Sequence, residues 1–310
     1  MSIPELHSTQ EIVDIAFRRA RKAADKKGIP DHLPGKEKLK RDTNTRVNVA
    51  TRVIDTKLGR VIDEFPDLSG FSSFYEAYAD CFFDRDRAKQ ALGRYQWAKQ
   101  EVNALRKKTL KGLGSKSYGE IKSAVSHFYG RAAGIVESLE DATDTLRPVR
   151  RAINRFPNIE ENGFVVTLAG LPNTGKSSLL KELTGSNAEI AAYSFTTKHI
   201  NTGNWRGIQF VDTPGVLHRE EKRNDIESMA YAAVKYVSDL VIYIVMPSRD
   251  GEEQWDFIRD TLRGRRPVGI YVRGEADVPS EVAEEPQVER VVRSVEEVRE
   301  FILDRRRARR

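Results

Sequence analysis

Apolar residues in the first half of the chain recur every three or four positions, which is the spacing of amphipathic helices. A capping box formed by Ser8 and Glu11 marks the start of the first helix, and the glycines and prolines of residues 28–35 end it. The same spacing predicts further helical segments at about 49–65, 73–83, 84–110 and 118–154. Long amphipathic helices with short connections predict an antiparallel bundle.

From residue 164 onward the pattern changes to short apolar runs rich in β-branched residues, each long enough for one buried strand. These runs cover residues 164–169, 208–211, 240–245 and 268–272. Segments with helical spacing lie between them, and this alternation predicts an α/β domain with a mostly parallel sheet. The expected fold class is therefore α + α/β, with a helical bundle at 1–158, an α/β domain at 159–304 and a basic tail at 305–310.

Charge divides the chain in the same way as hydrophobicity. Residues 1–160 contain 30 Lys and Arg against 22 Asp and Glu. The first part thus carries a net charge of about +8, and the remainder about −2, or about −7 without the arginines of 305–310. A basic module followed by an acidic domain and a basic tail is typical of a protein that docks on a polyanion such as RNA. Solvated lysine-rich helix faces are the alternative interpretation.

The composition of the chain limits the cellular compartment and the kinds of partner that we expect. The single cysteine, Cys81, cannot form an internal disulfide, so the chain suits a reducing compartment. No apolar run reaches membrane-spanning length, and the N-terminus has no apolar signal core. The five histidines show no metal-ligand spacing. We therefore expect a cytoplasmic monomer with no membrane or DNA partner.

The most informative motif is the run Gly-Leu-Pro-Asn-Thr-Gly-Lys-Ser-Ser at 170–178, which satisfies the phosphate-loop pattern G-x-x-x-x-G-K-[ST] between a strand and a helix. Its backbone N–H groups and the helix N-terminus would hold phosphate oxygens, Lys176 would reach the β- and γ-phosphates, and Ser177 would ligate Mg²⁺. The expected nucleotide-binding residues of this loop are Gly170, Asn173, Thr174, Gly175, Lys176, Ser177 and Ser178.

Two further elements predict a GTPase. Asp212-Thr213-Pro214-Gly215 is the D-x-x-G arrangement at a strand end, where Asp212 would hold Mg²⁺ through a water and the Gly215 N–H would face the γ-phosphate. Between the two motifs, Thr197 is the expected third metal ligand of a first switch, with Thr196 as the alternative. Adjacent threonines also suit the start of a strand. The predicted catalytic residues are Lys176, Thr197 and Gly215.

These motifs, together with residues 158–178, 193–198 and 212–227, resemble the Nog group of GTPases, the nucleolar GTP-binding protein family related to Obg. The helical half resembles the same family at 74–75, 84–86, 89–93 and 155–159, and the chain is most similar to the compact archaeal form. The resemblance implies a P-loop GTPase domain that binds GTP or GDP with Mg²⁺. It also implies a factor in large ribosomal subunit assembly that binds ribosomal RNA or a pre-ribosomal particle.

The chain departs from the family at the guanine-reading element. Where N-K-x-D is expected after the fifth strand, it reads Val272-Arg273-Gly274-Glu275-Ala276-Asp277. Counting without a gap places Ala276 at the aspartate position, and a one-residue shift places Asp277 there. Asp277 is the expected base contact, with an ordinary loop aspartate as the alternative.

Two more residues affect the expected rate of GTP hydrolysis. Val216 follows Gly215 where Ras-like proteins carry a water-orienting glutamine, which predicts slow hydrolysis in isolation. Asn173 is a candidate K⁺ ligand, because related GTPases with Pro-Asn in this loop hold K⁺ against the phosphates. The main hypothesis is a slow GTPase switch. The alternatives are an RNA-binding assembly factor with a degraded nucleotide domain, and an NTPase without guanine preference.

Overall fold

The computed structural model describes residues 3–26, 33–160, 163–185, 200–213, 232–246, 254–256, 258, 268–274 and 277–309. The chain forms two compact units. The first, here the helical unit, comprises residues 1–70 and 83–155, and the second, here the sheet unit, comprises 71–82 and 156–310.

Long helices make up the helical unit. They are α1 (Thr9–Lys26), α2 (Gly35–Glu64), α4 (Arg85–Leu110), α5 (Tyr118–Glu137) and α6 (Glu140–Ile153), and the short α3 (Ser73–Asp80) belongs to the other unit. The amide of Asn103 donates to Asp55 Oδ1 at 2.7 Å, and Arg106 Nη1 donates to Asn48 Oδ1 at 3.1 Å. Residue numbers rise along α4 as they fall along α2, so these helices are antiparallel, as the sequence predicts.

Helix ends in this unit follow their sequence signals. The capping box predicted at Ser8 and Glu11 is confirmed, because each residue's backbone N–H is bound by the other's side chain, at 2.9 and 3.1 Å. A second capping box, formed by Ser117 and Glu120, starts α5. The single helix predicted at 118–154 is wrong: the structure has two helices, which break at Ser138.

The described part of the sheet unit forms a sheet of six strands. They are β1 (Phe164–Ala169), β2 (Asn201–Trp205), β3 (Ile208–Asp212), β4 (Leu240–Val245), β5 (Val268–Val272) and β6 (Val288–Val292), in the order β2-β3-β1-β4-β5-β6. Only β2, which pairs with β3, is antiparallel. All four strands expected from the sequence are present, and the mostly parallel sheet is confirmed. The strands β2 and β6 were not anticipated.

Helices cover the sheet. On one face, Leu179, Leu180 and Leu183 of α7 (Lys176–Thr184) pack with Phe301 and Ile302 of the last helix. The opposite face carries two apolar clusters. One includes Trp255, Ile258 and Val282 of the short helix α8 (Ser280–Ala283), and the other surrounds a π-helical turn, Ala233–Val237. The strands β1, β3, β4 and β5 are buried throughout, which is why they read as continuous apolar runs.

Residues 71–82, which the sequence grouped with the bundle, lie in the sheet unit. Phe74 and Tyr78 of α3 are buried against Val165 and Val211 of the sheet. The Tyr75 hydroxyl donates to the Pro157 carbonyl at 2.9 Å. Packing, which sequence order does not reveal, therefore decides the unit to which this segment belongs.

The arginines expected to form a separate tail are part of a helix, α9 (Val295–Arg309). Arg305 forms an ion pair with Glu289 at 3.0 Å, and Arg306 Nη1 donates to the Arg206 carbonyl at 2.6 Å. Arg309 Nη1 reaches Asp239 Oδ2 at 2.5 Å. The basic tail expected at 305–310 is therefore, for residues 305–309, the end of a helix, and three of its arginines bind other parts of the sheet unit.

Candidate functional site

The phosphate loop lies at the carboxyl end of β1, between the strand and the first turn of α7. Gly170 has φ 144°, and a Cβ there would lie 2.6 Å from the Ile244 carbonyl oxygen. Gly175, the N-cap of α7, has φ 89°. Both positions require glycine because their backbone conformation lies where side chains are rarely accommodated. The loop can thus turn its N–H groups inward, as the motif predicts.

Lys176 is folded over this loop. Its Nζ donates to the carbonyls of Gly170 at 3.0 Å and Leu171 at 2.7 Å, and the side chain is 6% exposed. Burial lowers the pKa of Lys176 to about 8, and the negative charge of Asp212 opposes that shift. A buried cation at the N-terminus of a helix is a suitable partner for phosphate oxygens.

Asp212 joins the end of β3 to the same site. Its Oδ2 accepts hydrogen bonds from Ser177 Oγ at 2.7 Å and Asn201 Nδ2 at 3.3 Å. Burial raises the pKa of Asp212, and the hydrogen bonds from Ser177 and Asn201 and the charge of Lys176 oppose the rise. Its other oxygen, Oδ1, is buried and has no hydrogen-bond partner. This vacant acceptor next to the Ser177 hydroxyl fits a hard cation such as Mg²⁺, which prefers oxygen ligands.

The structure describes some of the remaining predicted residues. Thr174 is buried, and its hydroxyl donates to the Leu171 carbonyl at 2.9 Å. Asn173 and Ser178 are exposed, and Asn173 adopts φ 65°, a left-handed conformation. Asp277 is exposed beyond β5. Thr197 and Gly215, with Thr196 and Val216, lie outside the described residues.

Sequence reasoning missed two residues of the site. Asn201 donates to Asp212 from β2, a strand that the sequence did not predict. Arg273 follows β5, and its Nη1 lies 2.1 Å from where a Cβ on Gly175 would be. The sequence signal that could have identified Arg273 is its position in the segment that replaces the N-K-x-D element. Among the described residues there is no cluster of three or more His, Cys, Asp or Glu that could hold a metal ion.

Protein-family models match both halves of the chain. The model of the NOG1 N-terminal helical domain matches residues 1–160, which is half of the chain. The chain belongs to the NOG1 family. A second model, described as a 50S ribosome-binding GTPase, matches residues 165–273. The NOG1 chain is thus a GTP-binding protein with a GTPase domain, as the resemblance implied.

Relatives of this NOG1 chain come from archaea and eukaryotes. An uncharacterised protein of Methanocaldococcus jannaschii is 32% identical over 248 residues, covering 78% of this chain and 69% of that protein. Nucleolar GTP-binding protein 1 of Encephalitozoon cuniculi is 28% identical and that of Saccharomyces cerevisiae 30%. These matches cover 76% and 61% of this chain but only 45% and 30% of the relatives, so the chain spans less than half of the two eukaryotic proteins.

Among solved structures, the G domain of the FeoB iron transporter of T. maritima is 24% identical, with a TM-score of 0.34, over 46% of this chain and 98% of that one. That score is too low to add to the assignment.

The expected cytoplasmic location is wrong, because the eukaryotic relatives are named as nucleolar proteins. Within the described parts of the chain, none of the helices is both long and apolar enough to cross a membrane.

Proposed function

We propose that this NOG1 chain is a slow GTPase switch in large ribosomal subunit assembly, with a sheet unit that binds GTP and a helical unit that binds ribosomal RNA. The observation that carries the GTPase half is the hydrogen bond from the exposed Ser177 to the buried Asp212, whose Oδ1 is left without a partner among the described residues. This arrangement places a hydroxyl, a carboxylate and the buried Lys176 ammonium around the first turn of α7.

The chain's own groups account for phosphate binding. Lys176 is held by two loop carbonyls, and phosphate oxygens would replace these neutral acceptors with charged ones. The N–H groups at the start of α7 add the positive end of the helix dipole. Affinity for the triphosphate therefore arises from groups already in place.

A metal ion would be held by Ser177 Oγ and Asp212, with Thr197 completing the set. Bound Mg²⁺ would neutralise charge that develops on the phosphates. The carbonyl of Asn173, an exposed residue with a left-handed backbone conformation, is the proposed K⁺ contact. The Gly215 N–H would face the γ-phosphate, and Val216 beside it has no group to orient a water, so slow turnover is proposed.

The proposal that the helical unit binds RNA is supported by a group of lysines at one end of that unit. We define the basic end as Lys36, Lys40, Lys111 and Lys116. Hydrogen bonds from Ser117 lower the pKa of Glu120 most, and the charges of Lys116 and Lys36 lower it further, so both lysines lie near one carboxylate. A Cβ on Gly114 would lie 3.6 Å from Lys40 Nζ, which brings α2 beside the connection between α4 and α5.

Several basic side chains on neighbouring helix ends suit a sugar-phosphate backbone, which is recognised by charge without sequence preference. The names of the relatives and of the GTPase model, nucleolar and 50S ribosome-binding, favour ribosomal RNA over other polyanions.

The nucleotide half is tested with the purified full chain and fluorescent mant-GTP in Mg²⁺ and K⁺, competed by GTP and ATP, followed by turnover with and without large ribosomal particles. We expect displacement by GTP and faster hydrolysis on particles. Lys176→Ala should abolish binding. GTP binding without turnover on particles would support the alternative of an RNA-binding factor with a non-hydrolysing domain, and no binding would overturn the switch.

The RNA half is tested by measuring affinity for large-subunit rRNA as salt concentration rises. Changing Lys36, Lys111 and Lys116 together to Gln should reduce the slope of log affinity against log salt by about 2–3, because each phosphate contact contributes about 0.7–0.9. The matched control changes Arg60, Arg87 and Lys89 to Gln at the opposite end of the antiparallel helices. Equal effects of the two triple variants would contradict a localised basic end.

A further inference from the structure

Arg273 is a cation in the nucleotide site that none of the predicted roles uses. It is the first residue after β5, and its backbone N–H donates to the Val245 carbonyl at 2.9 Å, which extends the β4–β5 ladder by one residue. Its side chain returns to the phosphate loop, where Nη1 and Cζ lie 2.1 and 3.3 Å from where a Cβ on Gly175 would be. Arg273 therefore occupies the space above the N-terminus of α7.

Within the described residues, the hydrogen bonding of the Arg273 guanidinium is incomplete. Among the described residues, no carboxylate forms an ion pair with Arg273, and no acceptor binds its side-chain N–H groups. Arginine has five N–H donors in a rigid fork, so a cation in this position is ready for an acceptor supplied by a ligand.

The sheet order indicates which end of the nucleotide Arg273 meets. Asp212 follows β3 on one side of β1, and Arg273 follows β5 on the other, with β4 between β1 and β5. Adjacent strands lie about 4.8 Å apart, so the ends of β3 and β5 are roughly 14 Å from each other. A metal and the terminal phosphates would lie on the β3 side, where Ser177 binds Asp212, which leaves the β5 side for the base.

We propose that Arg273 reads the guanine base of the bound nucleotide, with two N–H donors directed at O6 and N7. This inference rests on the proposed GTP binding. At the edge that carries O6 and N7, guanine presents two adjacent acceptors, which the two N–H donors of a guanidinium match. Adenine presents the acceptor N7 and an amino donor at the same positions. Arg273 thus supplies guanine preference from the edge opposite to the one that an aspartate such as Asp277 would contact.

Nucleotide analogues distinguish recognition of the base by Arg273 from recognition by a carboxylate such as Asp277. Replacing N7 by carbon, as in 7-deaza-GTP, removes an acceptor used by Arg273. Removing the 2-amino group, as in ITP, removes a donor that a carboxylate would accept and leaves O6 and N7 intact. We expect ITP to displace mant-GDP from the full chain about as well as GTP does. The 7-deaza analogue and ATP should each bind about tenfold to a hundredfold more weakly.

Variants test the residue directly. Arg273→Ala should bind GTP, 7-deaza-GTP and ATP with similar affinity, and Arg273→Lys should behave the same way, because lysine keeps the charge and loses the fork. Arg307→Ala removes an exposed arginine of α9 and should leave the nucleotide preferences unchanged. Circular dichroism of each variant checks that the fold is retained.

Each contrary result identifies a different failure. An equal loss of GTP and ATP affinity in Arg273→Ala that is restored in Arg273→Lys would assign Arg273 to the phosphates and overturn base reading. Weak binding of ITP with full binding of 7-deaza-GTP would assign recognition to a carboxylate and also overturn it. If no nucleotide displaces mant-GDP or mant-GDP does not bind, the proposed function fails as well.

Discussion

Lys176 combines two conflicting conditions, since it is buried and yet must be charged to bind phosphate. Burial lowers its pKa to about 8 in the free protein. Phosphate oxygens favour the charged form, so nucleotide binding raises the pKa and takes up a proton above that pH. We expect the affinity for mant-GDP to be constant below about pH 8 and to fall by up to about tenfold per pH unit above it.

Calorimetry in two buffers of different ionisation enthalpy counts these protons. The uptake should be near zero at about pH 7 and should approach one proton at about pH 9. A proton uptake that stays near zero up to about pH 9 would show that Lys176 does not change its charge on binding.

Gly170 has a steric reason for its identity that can be measured. An alanine Cβ would lie 2.6 Å from a backbone oxygen of β4, which cannot move without breaking the sheet, and φ 144° adds strain. We expect Gly170→Ala to lower the free energy of unfolding of the sheet unit by about 3 kcal/mol or more and to abolish nucleotide binding.

The matched control is Gly130→Ala, on the exposed surface of α5, where an added Cβ meets nothing within 4 Å. Alanine is favoured over glycine in a helix by about 0.5–1 kcal/mol, so this variant should be stabilised. Urea unfolding followed by hydrogen exchange assigns each change to its unit. Similar stabilities of the two variants would contradict the steric argument.

At this scale, the sequence predicted what a single motif constrains. Gly170, Lys176 and Ser177 are fixed by the chemistry of one loop, and Asp212 by a strand end beside it. Arg273 and Asn201 reach the site through strand order, which the local pattern does not contain. An exposed side chain such as Asp277 carries no local signal that separates a ligand contact from an ordinary loop residue.

Among the elements, α3 offers the clearest test of the division into units. Phe74 and Tyr78 are 2% and 1% exposed within the sheet unit. Truncating a buried aromatic residue costs about 3–5 kcal/mol, so Phe74→Ala should destabilise the sheet unit by that amount. Hydrogen exchange should show the loss of protection in β1 and β3, with α2 and α4 unchanged.

Phe82→Ala is the control in the same segment, because Phe82 is 39% exposed and its truncation should change stability by less than about 1 kcal/mol. If Phe74→Ala instead exposes the amides of α2 and α4, the segment belongs to the helical unit, as the sequence suggested.

Elements with continuous burial or strong end signals were predictable, and the others were not. The strand β6 is mostly exposed or half-buried along its length and lacks the apolar run of β4. The strand β2, with sequence Asn-Thr-Gly-Asn-Trp, has little strand propensity, and its pairing with β3 determines its conformation. The arginine-rich end of α9 reads as a solvated tail because its partners, Glu289 and Asp239, are distant in sequence.

For the whole molecule, nucleotide should stabilise one unit selectively. A ligand at about 100 times its dissociation constant adds about 2.7 kcal/mol to the stability of the unit that binds it. We expect GDP with Mg²⁺ to increase hydrogen-exchange protection in 71–82 and in 156–310 and to leave α2, α4 and α6 unchanged. Equal protection of both units would show that they unfold together.

The assignment of residues 71–82 also has a consequence for the order of events during synthesis. The chain leaves the helical unit at residue 70, returns at 83 and leaves again at 155, so the two units are joined by three covalent crossings. Phe74 and Tyr78 emerge from the ribosome well before the strands that bury them. At about 5–20 residues per second, their apolar rings would wait roughly 7–30 s for β3 to appear. The nascent chain thus has a period in which a chaperone can recognise this segment, and a cut at residue 155 would make that exposure permanent.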